Sequence, residues 1–190
     1  SDKHAYISGL SPLVEDLKNI CEQEEVKYVT VAVLLSLLAM MLLLDSYIAP
    51  VLFMVSIGMA ILYNMGSNIF LGEISYITKA IAAVLQLGVT MDYSIFLWHS
   101  YMEKLDSGLK EDDAMAEAID ATLVSVTGSS ATTIAGFLAL CFMTYTMGRD
   151  LGIVMAKGVV FGVIASVTIL PVLLLRFNKL VQKTRHRSLI

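Results

Sequence analysis

The sequence predicts an all-α membrane protein, a polytopic bundle of about five transmembrane helices. Of its 190 residues, 57% are hydrophobic and only 16% are charged, whereas a soluble domain has about 25% charged residues. The mean hydropathy is +0.75. The charges cluster in residues 1–27, 103–120 and 176–187. The apolar stretches between these clusters are long enough to cross a bilayer.

Residues 1–25 are polar and predict a short amphipathic helix at the end of an extracytoplasmic domain. Ser11 and Pro12 are typical of a helix start, because serine caps N-termini and proline suits the first turn. Apolar residues then recur at helical spacing, as at Leu13 and Leu17. Little else in the chain could cover this apolar stripe. We therefore expect a fragment of a longer protein, with most of the external domain outside it.

Residues 26–175 are predicted to form the transmembrane bundle. The five spans are expected at 26–44, 48–63, 77–101, 121–145 and 151–175. Polar breaks separate them at Asp45, in a turn at 64–68, in an interfacial helical segment at 103–120 and in a tight turn at 148–150. Pro171 is a candidate for a kink near the end of the last span, because proline lacks a backbone N–H.

The distribution of basic residues predicts the orientation in the cell membrane. The tail, residues 176–190, is basic, and the loop at 101–113 carries Lys104 and Lys110. The loops at 64–76 and 147–150 together contain one basic residue, Arg149. By the positive-inside rule the tail is cytoplasmic. Five spans then place the N-terminal end of this multi-pass chain outside and the C-terminal end inside.

Asp92 is the most informative single residue, because it lies deep within the third predicted span. It sits roughly 22 Å from the outer start of that helix and about 12 Å from its inner end. A carboxylate at such depth costs on the order of 3 kcal/mol, and burial favours its neutral form. Intramembrane acids usually belong to ion paths or proton relays. We predict a site that takes up and releases a proton; a protonated carboxyl group kept for packing is the alternative.

Tyr93 and the fourth span supply the candidates to complete this site. Tyr93 follows Asp92 directly and is the polar neighbour that its own helix offers. The fourth span is dense in hydroxyls and small residues, and Ser129 and Ser130 lie at about the depth of Asp92. With Thr133 they are predicted to line a proton path. The alternative is close helix packing through the small residues at 128, 132 and 136.

Other polar residues in the spans have simpler interpretations. Lys157 is the second intramembrane charge and a possible partner of Asp92, but the two differ in depth by about 13 Å. Snorkelling of its ammonium group to the outer interface is the favoured interpretation. Trp98 and His99 close the inner end of the third span and are typical of an interfacial aromatic belt.

Several functional classes lack support in the sequence, which predicts neither a cofactor nor an enzyme. There is no nucleotide-binding loop, and we expect no nucleic-acid partner. Cys21 and Cys141 have no metal-binding spacing. An intramembrane aspartyl protease needs two carboxylates in one site, whereas Asp45 and Asp150 lie at span ends and only Asp92 lies at depth.

Four stretches of the sequence resemble the MMPL branch of the RND superfamily. They are GVTMDYSIFL at 88–97, SVTGSSATTIAGF at 125–137, LGIVMAKG at 151–158 and ILP at 169–171. The Asp92-Tyr93 pair is the most specific element of the resemblance, which covers about residues 6–188. It implies that the spans are helices two to six of a six-helix half, and that residues 1–25 end an external porter domain.

The resemblance implies a proton-driven exporter of lipids or other hydrophobic compounds. Its partners would be the lipid bilayer, protons, the hydrophobic substrate and a second RND half, from the same chain or another copy. Asp92 and Tyr93 would form one of two proton-relay pairs that meet between the halves. The related alternative is a membrane domain of the same fold that senses sterol or lipid, or serves as a scaffold, without transport.

Overall fold

A computed structural model describes residues 10–68 and 76–184, with side chains from residues 26 and 78 onward in the two stretches. The described chain is a helical bundle. Its helices are α1 (Leu10–Leu43), α2 (Ala49–Ser67), α3 (Tyr76–Asp106), α4 (Glu111–Ala139), α5 (Thr146–Val167), α6 (Ile169–Arg176) and α7 (Asn178–Lys183), with a 3₁₀ turn, Leu140–Phe142, after α4.

Within residues 10–68 and 76–184, five helical segments are long and apolar enough to cross a membrane, which confirms the predicted fold class. They are Val26–Leu43, Ala49–Ser67, Thr78–Asp106, Glu111–Phe142 and Thr146–Arg176. The predicted break at Asp45 is confirmed, because α1 ends at Leu43 and α2 begins at Ala49. Pro50 lies at the start of α2, where a missing N–H removes no helical hydrogen bond.

The amphipathic helix predicted at the N-terminus continues into the first span without a break. α1 has 34 residues and is therefore about 51 Å long, which exceeds the roughly 30 Å hydrocarbon thickness of a bilayer. The helix begins at Leu10, so Ser11 and Pro12 lie within its first turn instead of preceding it. Residues 1–9 and 185–190 lie outside the described part.

The turn predicted at 64–68 is wrong, because α2 continues to Ser67. The sequence predicts a turn at Asn64, but the side chain of this residue is fully buried. Its amide group donates to Gln86 Oε1 at 2.7 Å and to the carbonyl of Val154 at 3.2 Å. These bonds across the bundle satisfy an amide that would otherwise favour a turn.

The segment predicted as helical at 103–120 is helical on both sides of a turn. α3 continues to Asp106, and α4 begins at Glu111 as the start of one long helix. Gly108, with φ of 93°, makes the turn between them, a conformation that glycine adopts without strain. Ala114 and Met115 are buried in the main core. The first turns of α4 therefore pack against the bundle and continue directly into the predicted fourth span.

The turn between α4 and α5 lies earlier than predicted. The chain turns at residues 143–145, and the stretch predicted as the turn, 148–150, belongs to the first turn of α5. Gly148 N–H donates to the carbonyl of Tyr145 at 3.1 Å. Gly148 also packs closely against Met143.

The predicted kink at Pro171 is confirmed as a break between α5 and α6. The helix is interrupted at Thr168, whose φ is −118°. Proline cannot donate a hydrogen bond to the carbonyl four residues earlier, and Val167 ends α5 at that position. The chain continues through α6 into α7, where Thr184 Oγ1 lies 2.9 Å from Ser46 Oγ of the α1–α2 connection.

The main apolar core lies at the end of the bundle where α3 meets α4. Trp98 and Phe53 are both fully buried there, with ring centroids 6.2 Å apart in an edge-to-face arrangement. Aromatic pairs favour this geometry. The interfacial belt predicted for Trp98 is therefore wrong, since its ring is a core side chain.

A polar seam joins α2, α3 and α5 in the other half of the bundle. Besides the Asn64–Gln86 bond, Gln86 Nε2 donates to the carbonyl of Gly158 at 3.2 Å. A Cβ atom at Gly158 would lie 2.7 Å from Asn64 Nδ2, and one at Gly162 would lie 2.5 Å from Thr90 Oγ1. The absence of side chains at these glycines lets α5 approach closely, as small residues do between membrane helices.

The close packing of α5 against α4 at Gly152 predicts that Gly152→Ala destabilises the protein. A Cβ atom there would lie 2.5 Å from the backbone carbonyl oxygen of Phe137, which cannot move without displacing α4. We expect the variant to lose about 1–3 kcal/mol of stability and to unfold at a lower temperature in detergent, as followed by circular dichroism. The matched control is Gly58→Ala on α2, where nothing lies within 4 Å and alanine favours the helix. Equal shifts in the two variants would contradict the prediction.

Candidate functional site

Asp92 and Tyr93 lie in the middle of α3, beside α4. With Ser129 and Thr133 of α4 they line an open groove of about 460 Å³. The Tyr93 hydroxyl lies near the Thr133 side chain, and the tyrosine ring is largely buried against Val126 of α4 and Val159 of α5. The packing holds Tyr93 in place, whereas Asp92 is exposed to the groove.

A second groove of about 520 Å³ begins at Asp92 and continues along the same face of α3. Its lining includes Ile95, Phe96, His99, Ser100, Glu103 and Lys104 of α3, and Ala121 of α4. Asp92 and Phe96 line both grooves; the first extends back along α3 to Val89, and the second continues forward to Lys104. His99, interpreted above as part of an aromatic belt, faces this groove and is exposed.

The remaining predicted site residues lie elsewhere. Ser130 is mostly buried, and its hydroxyl donates to the carbonyl of Thr127 at 3.2 Å. It faces away from the groove that Ser129 lines. Lys157 does not line either groove; its ammonium group donates to Asn68 Oδ1 near the end of α2. The possible Asp92–Lys157 pair is absent from the described structure, and the Lys157 side chain extends to the end of α2 that carries Asn68.

The outer face of α4 is unusual for a transmembrane helix, because it is both polar and open. Thr127, Ser129 and Thr132 each donate to a carbonyl of the same helix. A Cβ atom at Gly128 or Gly136 would have nothing within 4 Å. The two glycines predicted for helix packing therefore face open space in the described structure. Since these three hydroxyl groups are satisfied within α4, the face is suited to close approach by another helix.

Three polar residues that the sequence interpretation missed or misread have roles in the structure. Asn64 and Gln86 form the polar seam, and the signal was available for Gln86, because an amide within a span needs a buried partner. His99 lies seven residues after Asp92, which is two helical turns. That spacing places both on one face and could have linked them.

The chemical groups that this arrangement offers are one exposed carboxyl group and a neighbouring phenol. Among the described residues no group of three His, Cys, Asp or Glu side chains could hold a metal ion. Asp92 makes no hydrogen bond or ion pair with the described part of the chain. A carboxyl group that lines two open grooves can exchange protons with water, and the Tyr93 hydroxyl both donates and accepts.

Long apolar helices around an acid that lies at mid-helix define a multi-pass α-helical membrane protein with an intramembrane carboxyl site. More specifically, the chain belongs to the MMPL family, whose family model matches residues 1–188.

Individual relatives agree with this family and are longer than the present chain. The protein MJ1562 of Methanocaldococcus jannaschii is 26% identical over 88% of this chain and 43% of its own length. ActII-3 of Streptomyces coelicolor is 32% identical over 75% of this chain and 21% of its own. The siderophore exporter MmpL5 of Mycobacterium tuberculosis is 26% identical over 95% of this chain and 20% of its own. The chain thus spans less than half the length of each.

Proposed function

We propose that the chain is the membrane half of a proton-driven exporter of lipids or other hydrophobic compounds. The observation that carries this proposal is the position of Asp92, an acid at mid-helix that lines two adjoining grooves and has Tyr93 and Thr133 beside it. Membership of the MMPL family and similarity to a named exporter support the transport role. Such a protein binds and moves its cargo without chemically changing it, so we expect no enzymatic activity.

In this mechanism Asp92 takes up and releases the coupling proton. Tyr93 orients the carboxyl group, and Ser129 and Thr133 line the approach through the first groove. Protonation removes the charge of the Asp92 carboxylate. It therefore favours helix arrangements in which this side chain is less hydrated over those in which it is more hydrated. The protonation state of one residue can therefore bias two arrangements of α3 and α4.

A second half is the proposed occupant of the open α4 face. An exposed carboxyl group and a polar helix face are costly against lipid tails, and close packing of another helix would remove that cost. The relatives have more than enough length for a second such unit, because the chain covers 43% or less of each of those compared. The second half would belong to the same chain or to another copy.

The continuous helix α1 supports an external element at the N-terminal end. Residues 10–25 add about 24 Å of helix before the apolar span begins at Val26. In the proposed orientation this extension lies outside the cell membrane and residues 1–25 end a porter domain, while the basic tail lies in the cytoplasm. A continuous helix transmits movement from the bundle to that domain.

The experiment that tests the proposal needs no knowledge of the cargo. The carboxyl infrared band of the full-length protein in lipid is recorded from about pH 5 to 9, with Asp92→Asn subtracted as control. We expect one band that titrates within this range and is lost in the variant. If no Asp92 band titrates, the residue keeps one protonation state, and the lipid- or sterol-sensing scaffold of the same fold becomes the better interpretation.

A further inference from the structure

The second groove carries an inference that rests on the proposed function and extends it. Of the groove's lining, the titratable and charged side chains are Asp92, His99, Glu103 and Lys104, all from α3. α4 contributes only Ala121 to the lining, and it places Glu117 2.9 Å from the Lys104 ammonium group. The Lys104 charge is thus already paired across the groove mouth, which leaves His99 and Glu103 as the groups able to exchange protons.

The spacing of these residues forms a ladder along one face of α3. His99 follows Asp92 by about two turns, roughly 10 Å along the axis, and Glu103 follows His99 by one turn, about 6 Å. Residues four apart on a helix are neighbours on its surface. Both His99 and Glu103 are exposed to the groove. Its volume of about 520 Å³ could hold several waters at about 30 Å³ each.

We propose that His99 and Glu103 form the proton release route between Asp92 and the end of α3. Imidazole is suited to this position because it gains and loses a proton between pH 5 and 8. The first groove shares Asp92 and Phe96 with the second and extends back to Val89; it carries hydroxyl groups and no charged group besides Asp92 itself. The two grooves therefore differ in chemistry: the first is lined by hydroxyl groups, whereas the second carries His99 and Glu103 between Asp92 and the end of α3.

The transfer sequence conserves protons at each step. The carboxylic acid of Asp92 gives its proton through groove water to a ring nitrogen of neutral His99, leaving a carboxylate and an imidazolium. The imidazolium then gives a proton to the Glu103 carboxylate or to water at the end of α3, which restores neutral His99. Glu103 also stabilises the imidazolium electrostatically from one turn away.

The test is the rate at which Asp92 responds to a change of pH. The full-length protein in lipid is subjected to a rapid pH jump, and the Asp92 carboxyl band is followed by time-resolved infrared spectroscopy. In His99→Gln we expect this rate to fall by about tenfold or more, while the final amplitude and titration midpoint remain close to those of the unmodified protein. Added imidazole should restore the rate. The matched control is Asp113→Asn, an exposed acid of α4 outside both grooves.

Each outcome either supports or overturns the proposed release route. A slowed response that imidazole restores supports the route. An unchanged rate in His99→Gln overturns the release route and leaves Asp92 as the proton site. A slowed rate that imidazole does not restore has the same meaning. A band that fails to titrate in the unmodified protein overturns the proposed function together with the route.

Discussion

Asp92→Asn is expected to abolish proton-coupled transport while the protein still folds and inserts. Asparagine matches aspartate in size but cannot release a proton at any pH used, so the coupling step is lost. We expect a fall of about 100-fold or more, because no other described acid lies at this depth of α3. The measurement is export of a fluorescent lipid analogue from vesicles under an imposed pH gradient, with proton uptake followed in parallel by a trapped pH indicator.

The fold should survive this substitution because Asp92 contributes little to the packing of the bundle. Its side chain is exposed and makes no hydrogen bond with the described residues, whereas Tyr93 beside it is held in a core cluster. Asp113→Asn, on the exposed side of the first turn of α4, is the matched control and should transport normally. Normal transport by Asp92→Asn would remove the basis of the proton-relay proposal.

The number and order of spans could be predicted from the sequence, but two turn positions could not. Composition and apolar length determine which segments cross a membrane, and Asp45 interrupts the pattern clearly enough to mark a break. The local preferences of Asn64 and Gly148 predict turns, but both residues lie inside helices. The buried Asn64 side chain bonds across the bundle to Gln86. At Gly148 the turn occurs a few residues earlier, so that α5 already begins at Thr146.

At the candidate site, the sequence predicts the depth of a side chain along its helix but not the direction in which that side chain points around the helix. Counting residues along α3 and α4 correctly brings Ser129 and Thr133 near Asp92, because depth depends only on the rise per residue. It cannot distinguish Ser129 from Ser130, which are 100° apart around the helix. That rotation is fixed by tertiary packing: Val126 and Ser130 are buried on the inner side, which turns Ser129 toward the groove.

Lys157 could not be placed from the sequence for a related reason. From its depth alone, the ammonium group could extend to the outer interface or pair with Asp92. Neither interpretation includes a polar side chain at the end of another helix. The structure supplies Asn68 as that partner. An ammonium group bonded there holds α5 against the end of α2, next to the polar seam formed by Asn64 and Gln86.

Filling the open face of α4 should abolish transport without unfolding the half that carries it. A Cβ atom at Gly128 or Gly136 would meet nothing within 4 Å in this half, so we expect the bundle itself to accept Gly128→Leu and Gly136→Leu. The new side chains would project from the face proposed for the second half and keep its helix from close approach, as large residues do at small-residue contacts. We expect transport to fall at least tenfold in each variant and further in the double variant, measured with the same vesicle assay.

The control for bulk alone is Gly58→Leu on α2, a position where an added Cβ atom also meets nothing within 4 Å. This variant should keep both fold and transport, because α2 is not part of the proposed contact. Cysteines introduced at Thr132 and at positions across the second half would report the contact directly, since they should cross-link in the unmodified background and not in Gly128→Leu. If the α4 variants transport as well as Gly58→Leu does, the face is lipid-exposed in the working protein. The second half would then have to meet Asp92 from another side.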